Sequence, residues 1–440
     1  MMKNKKIVLT LASLGVVLSL AAVIIYTITT LNSNALNYQY VGTPSNHYVV
    51  VSDGKKYGYI TEDGKEVTSL KYDIMDSMKL DDNTINLDGF KFVDGLAQYT
   101  EDMNYGLLNE QGKEIIDADY SSIEVINKNL IIVSDNNFYF INQDNEKLFN
   151  QEFEMITSIE GLDSIFIVSS DGRQALINNK GEILTEYKYD SIYELVDSSS
   201  NNYVFCAMYG DYTDIYLYNS ETLSFTKLDN FDNYTPTIFN DSNIYFVSPT
   251  GLYSIYNINT NNIITLNNNY TAIGPFVNSL AFAINSNNLV GYINEKEETV
   301  IDFQYDYNNT ESFTTYGLAV VGKDNLVGVI NTDNEQVLDF NYLNINIINN
   351  NRFLVLDQDN NKYIIDAKGN RITETDYDNI ELTDYPNIFI VSKVSNNKTL
   401  YGIINSDGEE IIPVEYEDIK ISDDYFVLKR KDNEFYIEKR

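Results

Sequence analysis

The sequence predicts an all-β repeat protein, and three observations carry that prediction. An aromatic or aliphatic residue, a Gly and two apolar residues return together as Tyr57-Gly58-Tyr59-Ile60, Tyr105-Gly106-Leu107-Leu108, Val290-Gly291-Tyr292-Ile293, Val327-Gly328-Val329-Ile330 and Tyr401-Gly402-Ile403-Ile404. Compact apolar runs bounded by Asn, Asp and Gly begin 34 to 40 residues apart, among them Leu130-Ile131-Ile132-Val133, Ile165-Phe166-Ile167-Val168, Leu318-Ala319-Val320-Val321 and Ile388-Phe389-Ile390-Val391. Gly turns such as Asp63-Gly64, Gln111-Gly112, Lys180-Gly181, Lys368-Gly369 and Asp407-Gly408 follow the motif. Self-similarity at such a period means one supersecondary unit copied many times, so the fold is decided by stacking units.

Taken in chain order, the first element is not part of the array. Lys3, Lys5 and Lys6 precede Ile7 to Leu31, 25 residues without a charge. At about 1.5 Å per helical residue this run crosses a hydrocarbon core of about 30 Å, and the lysines favour an inside N-terminus. Residues 1–6 therefore read as a cytoplasmic N-terminus, 7–31 as a transmembrane signal-anchor helix, 32–46 as a linker and 47–440 as an ectodomain. Secretion after signal cleavage is the alternative, and Ser33-Asn34-Ala35 is the small-residue site it would use.

Within the array each unit splits into four pieces. The compact apolar run reads as a buried strand because its β-branched and aromatic residues are bounded by turn formers. The aromatic-Gly strand comes next. A Gly inside a strand weakens it unless another backbone or a ring approaches closely, which its recurrence implies here. After the Gly turn, short strands such as Ile115-Ile116, Ile183-Leu184, Val300-Ile301, Val337-Leu338 and Ile411-Ile412 pair back on it. A Tyr-x-x-Ile segment ends the unit, as in Tyr120 with Ile123, Tyr189 with Ile192, Tyr342 with Ile345, Tyr377 with Ile380 and Tyr416 with Ile419. The unit leaves no room for a helix of useful length, so this segment reads as bent and partly extended.

Positions equivalent to Gly58 run to Gly402 in nine steps over 344 residues, a mean near 38, which makes ten units with Phe435-Tyr436-Ile437 opening another. Units between 195 and 275 keep the strand alternation but lose the Gly turn, and a boundary between sub-arrays is expected there. Short antiparallel strands at this period suit propeller-like blades of about 40–50 residues, although closed propellers typically hold about 4–8. The expected fold is about ten short antiparallel β-units in a propeller-like toroidal array. The alternatives are an open β superhelix or two smaller propellers. Pairing of Gly54 to Tyr59 with Phe435 to Ile437 is one way to close a ring.

Charge and composition restrict the function. The chain has 30 basic and 65 acidic side chains. Three lysines and no acid lie in residues 1–36, so the remainder holds 27 bases against 65 acids, a formal charge of −38. That field repels nucleic acid, so no nucleic-acid partner is expected. Cys206 is the sole cysteine and His47 the sole histidine. Cys206 lies in the run Val204-Phe205-Cys206-Ala207 and reads as an inert core residue. Any Ser-His-Asp or Cys-His mechanism would depend on His47 alone, at the entry to the array. Zinc sites built from several His and Cys are excluded by count.

Asp357-Gln358-Asp359-Asn360-Asn361 opens like an oxygen-rich calcium loop, but Lys362 stands where an EF-hand needs Gly and Lys368 where it needs Glu. A solvated turn is the better reading, and calcium is the one metal the composition leaves open; no cofactor is expected. No glycine-rich phosphate loop occurs. With 36 tyrosines and no tryptophan, any ring that meets a sugar or peptide is expected to be mostly Tyr. Tyrosines at repeat positions read as packing between units.

The motif resembles the WG repeat family of bacterial proteins. The best matches are Tyr57-Gly58-Tyr59-Ile60 through Asp63-Gly64-Lys65, and Tyr401-Gly402-Ile403-Ile404 through Asp407-Gly408 to Ile411-Ile412-Pro413 and Tyr416, with Gly95-Leu96-Ala97 and Gly317-Leu318-Ala319-Val320 as leading strands. The likeness covers almost all of 47–440. Two departures stand out: Tyr or Val replaces the family's Trp, and the Gly becomes Tyr139, Ala175 and Tyr363 in three units. The resemblance implies an exported or surface-displayed binding protein without a catalytic motif. The expected function is therefore a membrane-anchored extracellular repeat domain that binds a protein or a cell-envelope polymer, with no catalytic residues and the ligand-binding residues unknown. The rivals are a carboxylate-based glycan-active enzyme and a passive structural spacer.

Overall fold

The computed structural model describes residues 35–440 apart from 81–83, 197–199, 230, 232–233 and 241. The segment 7–31 expected to cross a membrane lies outside the described residues. Among those described, no helix is long and apolar enough to cross one.

The chain is all-β, with short antiparallel strands and four 3₁₀ turns among the described residues. They form ten sheets of three, four or, in one case, seven strands. The seven-stranded sheet spans two repeat units, joined by the single pair Asp306 with Gly322. Eleven units are thus present where the spacing predicts ten and a beginning. The eleventh is complete: Asp418–Ile421, Tyr425–Lys429 and Glu434–Lys439 pair in order, and Leu36–Asn37 adds a fourth strand from the other end of the chain. Leu36 lies opposite Phe435 and Asn37 opposite Glu434. The chain ends do meet, but through Leu36–Asn37 and not through 54–59, whose strand Lys56–Thr61 is already paired with Tyr48–Ser52. The stretch 32–46 is correspondingly not all linker, since Leu36–Asn37 and Tyr40–Val41 are strands.

Two compact units divide the chain. Unit 1 holds the residues up to Asn136, Phe140–Lys147 and Glu415–Arg440; unit 2 holds Asn137–Tyr139 and Leu148–Val414. Residues 195–275 lie wholly within unit 2.

There is no single core. The apolar runs at 130, 165, 318 and 388 lie in inner strands of their sheets, and successive residues of a strand point to opposite faces. Tyr203, Phe205 and Ala207 pack toward Ile165, Ile167 and Leu176 of the preceding sheet. Val204 and Cys206 pack toward Phe239, Ile244 and Phe246 of the following one. Both faces are covered, which is why these runs are continuously apolar rather than alternating. The Tyr-x-x-Ile segment is the handover between sheets: Tyr120, Tyr342 and Tyr416 end one sheet, and Ile123, Ile345 and Ile419 lie in the first strand of the next.

The motif Gly has a steric reason. The ladder skips it, passing from Tyr105 opposite Tyr120 to Leu107 opposite Ile116, and likewise across Gly291 and Gly328. The partner strand bulges there and lays a carbonyl over the Gly. A Cβ on Gly291 would stand 2.7 Å from the Ile301 oxygen and 2.9 Å from the Phe303 nitrogen. The units with Tyr139 and Ala175 keep the same offset, but as isolated bridges: Phe138 opposite Phe153 and Ile141 opposite Lys147, Gln174 opposite Tyr189 and Ile177 opposite Ile183. Ala175 and Tyr363 sit in edge strands met only by isolated bridges, such as Ile177 with Ile183 and Ile365 with Arg371. Tyr216 pairs with Lys227 in an uninterrupted ladder.

The Asn that follows the motif organises the turn. The Asn331 carbonyl oxygen accepts the amides of Asp333 and Glu335 at 3.1 and 2.8 Å, and its Nδ2 donates to Glu335 Oε2 at 2.9 Å. Asn405 does the same with Asp407 and Glu409. At Asp366 the roles are exchanged: its carboxylate takes the amides of Lys368 and Asn370 and the Asn370 side chain. This Asx turn replaces backbone pairing where the chain reverses.

Candidate functional site

The residues singled out by type resolve first. Asp357 belongs to the same class of turn as Asp366. Its carboxylate accepts the amides of Asp359 and Asn361 and the Asn361 side chain, so the calcium-like start of this loop is a self-satisfied turn. Among the described residues no three or more acidic, His or Cys side chains converge as a metal would require. Cys206 is buried, and burial pushes its thiol up to about 12 against the opposing effect of a hydrogen bond with Tyr193. A thiol so placed is unreactive. His47, in unit 1, is exposed and places Nδ1 2.8 Å from Glu62 Oε2, the same oxygen to which Tyr425 donates. It clamps the start of the array to the C-terminal sheet.

Tyrosines at repeat positions tie units together. Tyr120 donates to Asn145 at 2.6 Å and Tyr305 to Asn334 at 2.7 Å, in each case to the left-handed Asn in the turn of the next unit. Tyr189 has no such turn to reach, because the following unit is one of those that lost it. It turns instead to Asp214, and that exchange creates a polar centre that departs from the repeat.

Asp214 lies in the strand Tyr212–Asn219 with 3% of its surface exposed. Other units hold Lys56, Asn104, Arg173, Leu289, Leu326 or Leu400 at this place, two residues before the motif Gly. Tyr189 donates to Asp214 Oδ2 at 2.7 Å, Lys188 Nζ lies 3.1 Å from that oxygen, and Lys227 Nζ is 2.9 Å from Oδ1. Tyr216 Oη is 2.5 Å from Tyr189 Oη. Burial pushes the Asp214 carboxyl up, but hydrogen bonds from Lys227, Tyr189 and Lys188 outweigh it and hold it below its ordinary 3.8. Burial raises the Tyr189 phenol, which stays neutral and donating.

Over this centre opens a cavity of about 480 Å³ lined by Ile183, Leu184, Glu186, Lys188, Tyr189 and Tyr216. At its rim the Lys188 ammonium sits 4.6 Å from the Tyr209 ring centre and 5.1 Å from that of Tyr189. Tyr209 stacks on Tyr212 at 5.5 Å, and Tyr212 is half exposed. The strand ends Tyr209 and Tyr212 face each other across a hairpin whose turn includes Gly210 in the left-handed region.

We expect Asp214→Asn to cost about 1–3 kcal/mol of stability at neutral pH, since a buried charged acceptor is lost to three donors. Because the folded carboxyl lies below 3.8, its contribution is complete above that pH and is lost as pH falls through the lower folded value. Urea midpoints of the two proteins should therefore converge in strong acid; a constant gap down to pH 2, about two units below the ordinary Asp value, would show that the charge is not what stabilises.

Sequence reading had located this stretch only as worn units. The available signal was Asp214 itself, an acid directly before Ile215-Tyr216-Leu217 in a strand pattern. What it pairs with depends on three segments brought together by sheet stacking.

The geometry defines a class, an all-β repeat protein with a polar centre set in its degenerate units. Residues 105–139, 176–198, 291–326 and 401–433 match the family model described as WG containing repeat. Those four stretches carry the repeat of that family, and the site straddles the second of them. No curated protein matches the chain in sequence. Among solved structures, the computationally designed Ika8 protein overlaps at 13% identity and a TM-score of 0.29, covering 73% of this chain and 96% of that one. BamB from Moraxella catarrhalis overlaps at 9% and 0.32, covering 65% and 96%. Hsv2 from Kluyveromyces lactis does so at 13% and 0.30, covering 63% and 94%. Overlaps of this size leave the fold to be read from the strand pairing itself.

Proposed function

We propose that the chain is a membrane-anchored, outward-facing repeat domain that binds a protein or a cell-envelope polymer, with residues 7–31 as the anchor and the β-units in a propeller-like array. The observation that carries the binding reading is the cavity over Asp214. Its polar groups are ordered by one another, its rim is aromatic, and it occurs where the repeat gives up its own turn. Concave sites with a few convergent polar groups and aromatic walls are where ligands bind. The finer arrangement is supported by the steady period and by Leu36–Asn37 completing the last sheet.

The geometry does not favour the glycan-cleaving alternative. That chemistry needs one carboxyl kept protonated and a second at a set distance, whereas Asp214 is held ionised between two lysines. The test is retention of the full chain, in detergent, on isolated wall polymer and on solubilised envelope proteins. Saturable retention on either is expected; none on both would mean a passive spacer. A fragment beginning near residue 40 is unsuitable, because it removes the strand Leu36–Asn37.

A further inference from the structure

We infer that the cavity over Asp214 takes an uncharged, polyhydroxylated ligand, the chain of a neutral glycan, with the Tyr209–Tyr212 pair as the platform for a sugar ring. The inference rests on the binding reading above and names its ligand class.

The first argument is charge. The protein carries a formal −35, yet Lys188 and Lys227 here meet Asp214, with Glu186 3.9 Å from Lys188. Two positive and two negative groups cancel, so the site is a neutral island in an acidic chain. An anionic ligand would have to draw Lys188 from a buried carboxylate that depends on it, and a cationic one would meet the Lys188 ammonium in the lining. Either exchange loses a paired buried charge.

The second argument is the count of donors and acceptors. Tyr189 has one hydroxyl proton and gives it to Asp214. The short contact to Tyr216 must then be a donation by Tyr216, whose own lone pairs remain for a ligand hydroxyl. The Lys188 ammonium, which lines the cavity, spends a proton on Asp214 and keeps others for ligand oxygens. Glu186 is a further acceptor in the wall. A lining that both donates and accepts at neighbouring points matches hydroxyls, which do the same.

The third argument is shape. Tyr209 and Tyr212 are stacked with 22° between their planes, and Tyr212 is 51% exposed. Rings so held offer an apolar face with a polar tip at little cost in side-chain freedom. The apolar C–H face of a pyranose covers such a platform while its edge hydroxyls reach the Lys188 side.

The experiment is calorimetric titration of the full chain, in detergent, with cellohexaose, chitohexaose and a dextran oligomer, alongside retention on solubilised envelope proteins. Saturable binding of at least one glycan is expected, weakened at least tenfold by Tyr212→Ala and by Tyr216→Phe. Tyr316→Ala, at an exposed tyrosine elsewhere in unit 2, should leave it unchanged. Melting curves establish that each variant is folded, and Tyr216→Phe keeps the ring. Retention of a protein with no glycan bound overturns this inference and leaves the binding reading standing. Silence in both arms removes both. Glycan binding indifferent to Tyr212 and Tyr216 overturns the site.

Discussion

Removal of Glu434–Arg440 is expected to unfold unit 1. The strand Glu434–Lys439 buries Phe435 and Ile437 in a cluster with Leu36, Val41, Val49, Val51, Ile60, Tyr425 and Val427. Losing a buried Phe costs about 3–5 kcal/mol and a buried Ile about 2–5 kcal/mol. Together these match the whole stability of many domains, about 5–15 kcal/mol. The deletion also strips Leu36–Asn37 of its only paired strand and exposes the edge Tyr425–Lys429. Hydrogen exchange reports it: amides of Tyr48–Ser52, protected in the intact chain by pairing on both sides, should exchange at the rate of an unfolded chain. The milder Phe435→Ala should cost about 3–5 kcal/mol in a urea titration followed by tyrosine fluorescence, the natural signal in a chain without tryptophan. Unaltered protection after the deletion would show that the chain ends are not joined as described.

The second large effect is expected at Gly291. Alanine there places a methyl group 2.7 Å from one backbone oxygen and 2.9 Å from a backbone nitrogen, neither of which can move without opening the bulge. Such overpacking costs about 1–3 kcal/mol, and the bonds of a disrupted ladder add to it. We expect a loss of about 2–4 kcal/mol for Gly291→Ala. The control lies within the same molecule. Ala175 occupies the equivalent place in a unit whose partner segment is held only by the isolated bridges Gln174 with Tyr189 and Ile177 with Ile183, and Ala175→Gly should cost no more than about 1 kcal/mol, the ordinary effect of glycine in a strand. Equal losses at both positions would mean that the motif Gly is not there for close approach.

These two expectations show unequal legibility. The strands, the turns and the close-approach role of the Gly could be read directly, because each depends on residues near one another in the chain. Tyr120 and Tyr305 could be read as links between units for the same reason, since each reaches the turn of the unit that follows. The eleventh unit could not. Its first three strands are local, but its fourth is Leu36–Asn37, nearly four hundred residues away in sequence and only two residues long. No periodicity marks so short a segment, and the stretch reads as a linker.

The candidate site lies between these cases. Its place in the degenerate units was visible as a loss of the Gly turn, and the abundance of tyrosine indicated what kind of ring would line it. Its composition was not visible, because Lys188, Asp214 and Lys227 come from different strands and none has a motif spacing.

The sequence by itself therefore determined the class of the fold, the period of the unit, the close approach at the motif Gly and the acidity of the chain. These follow from local sterics and summed charge, which do not depend on where distant segments settle. Tertiary structure alone decided two things: which strand completes the last sheet, and that a single buried carboxylate gathers two lysines and two tyrosines under an aromatic rim. Both join segments that no local pattern links, selected by the burial of apolar surface and by a buried charge's requirement for partners.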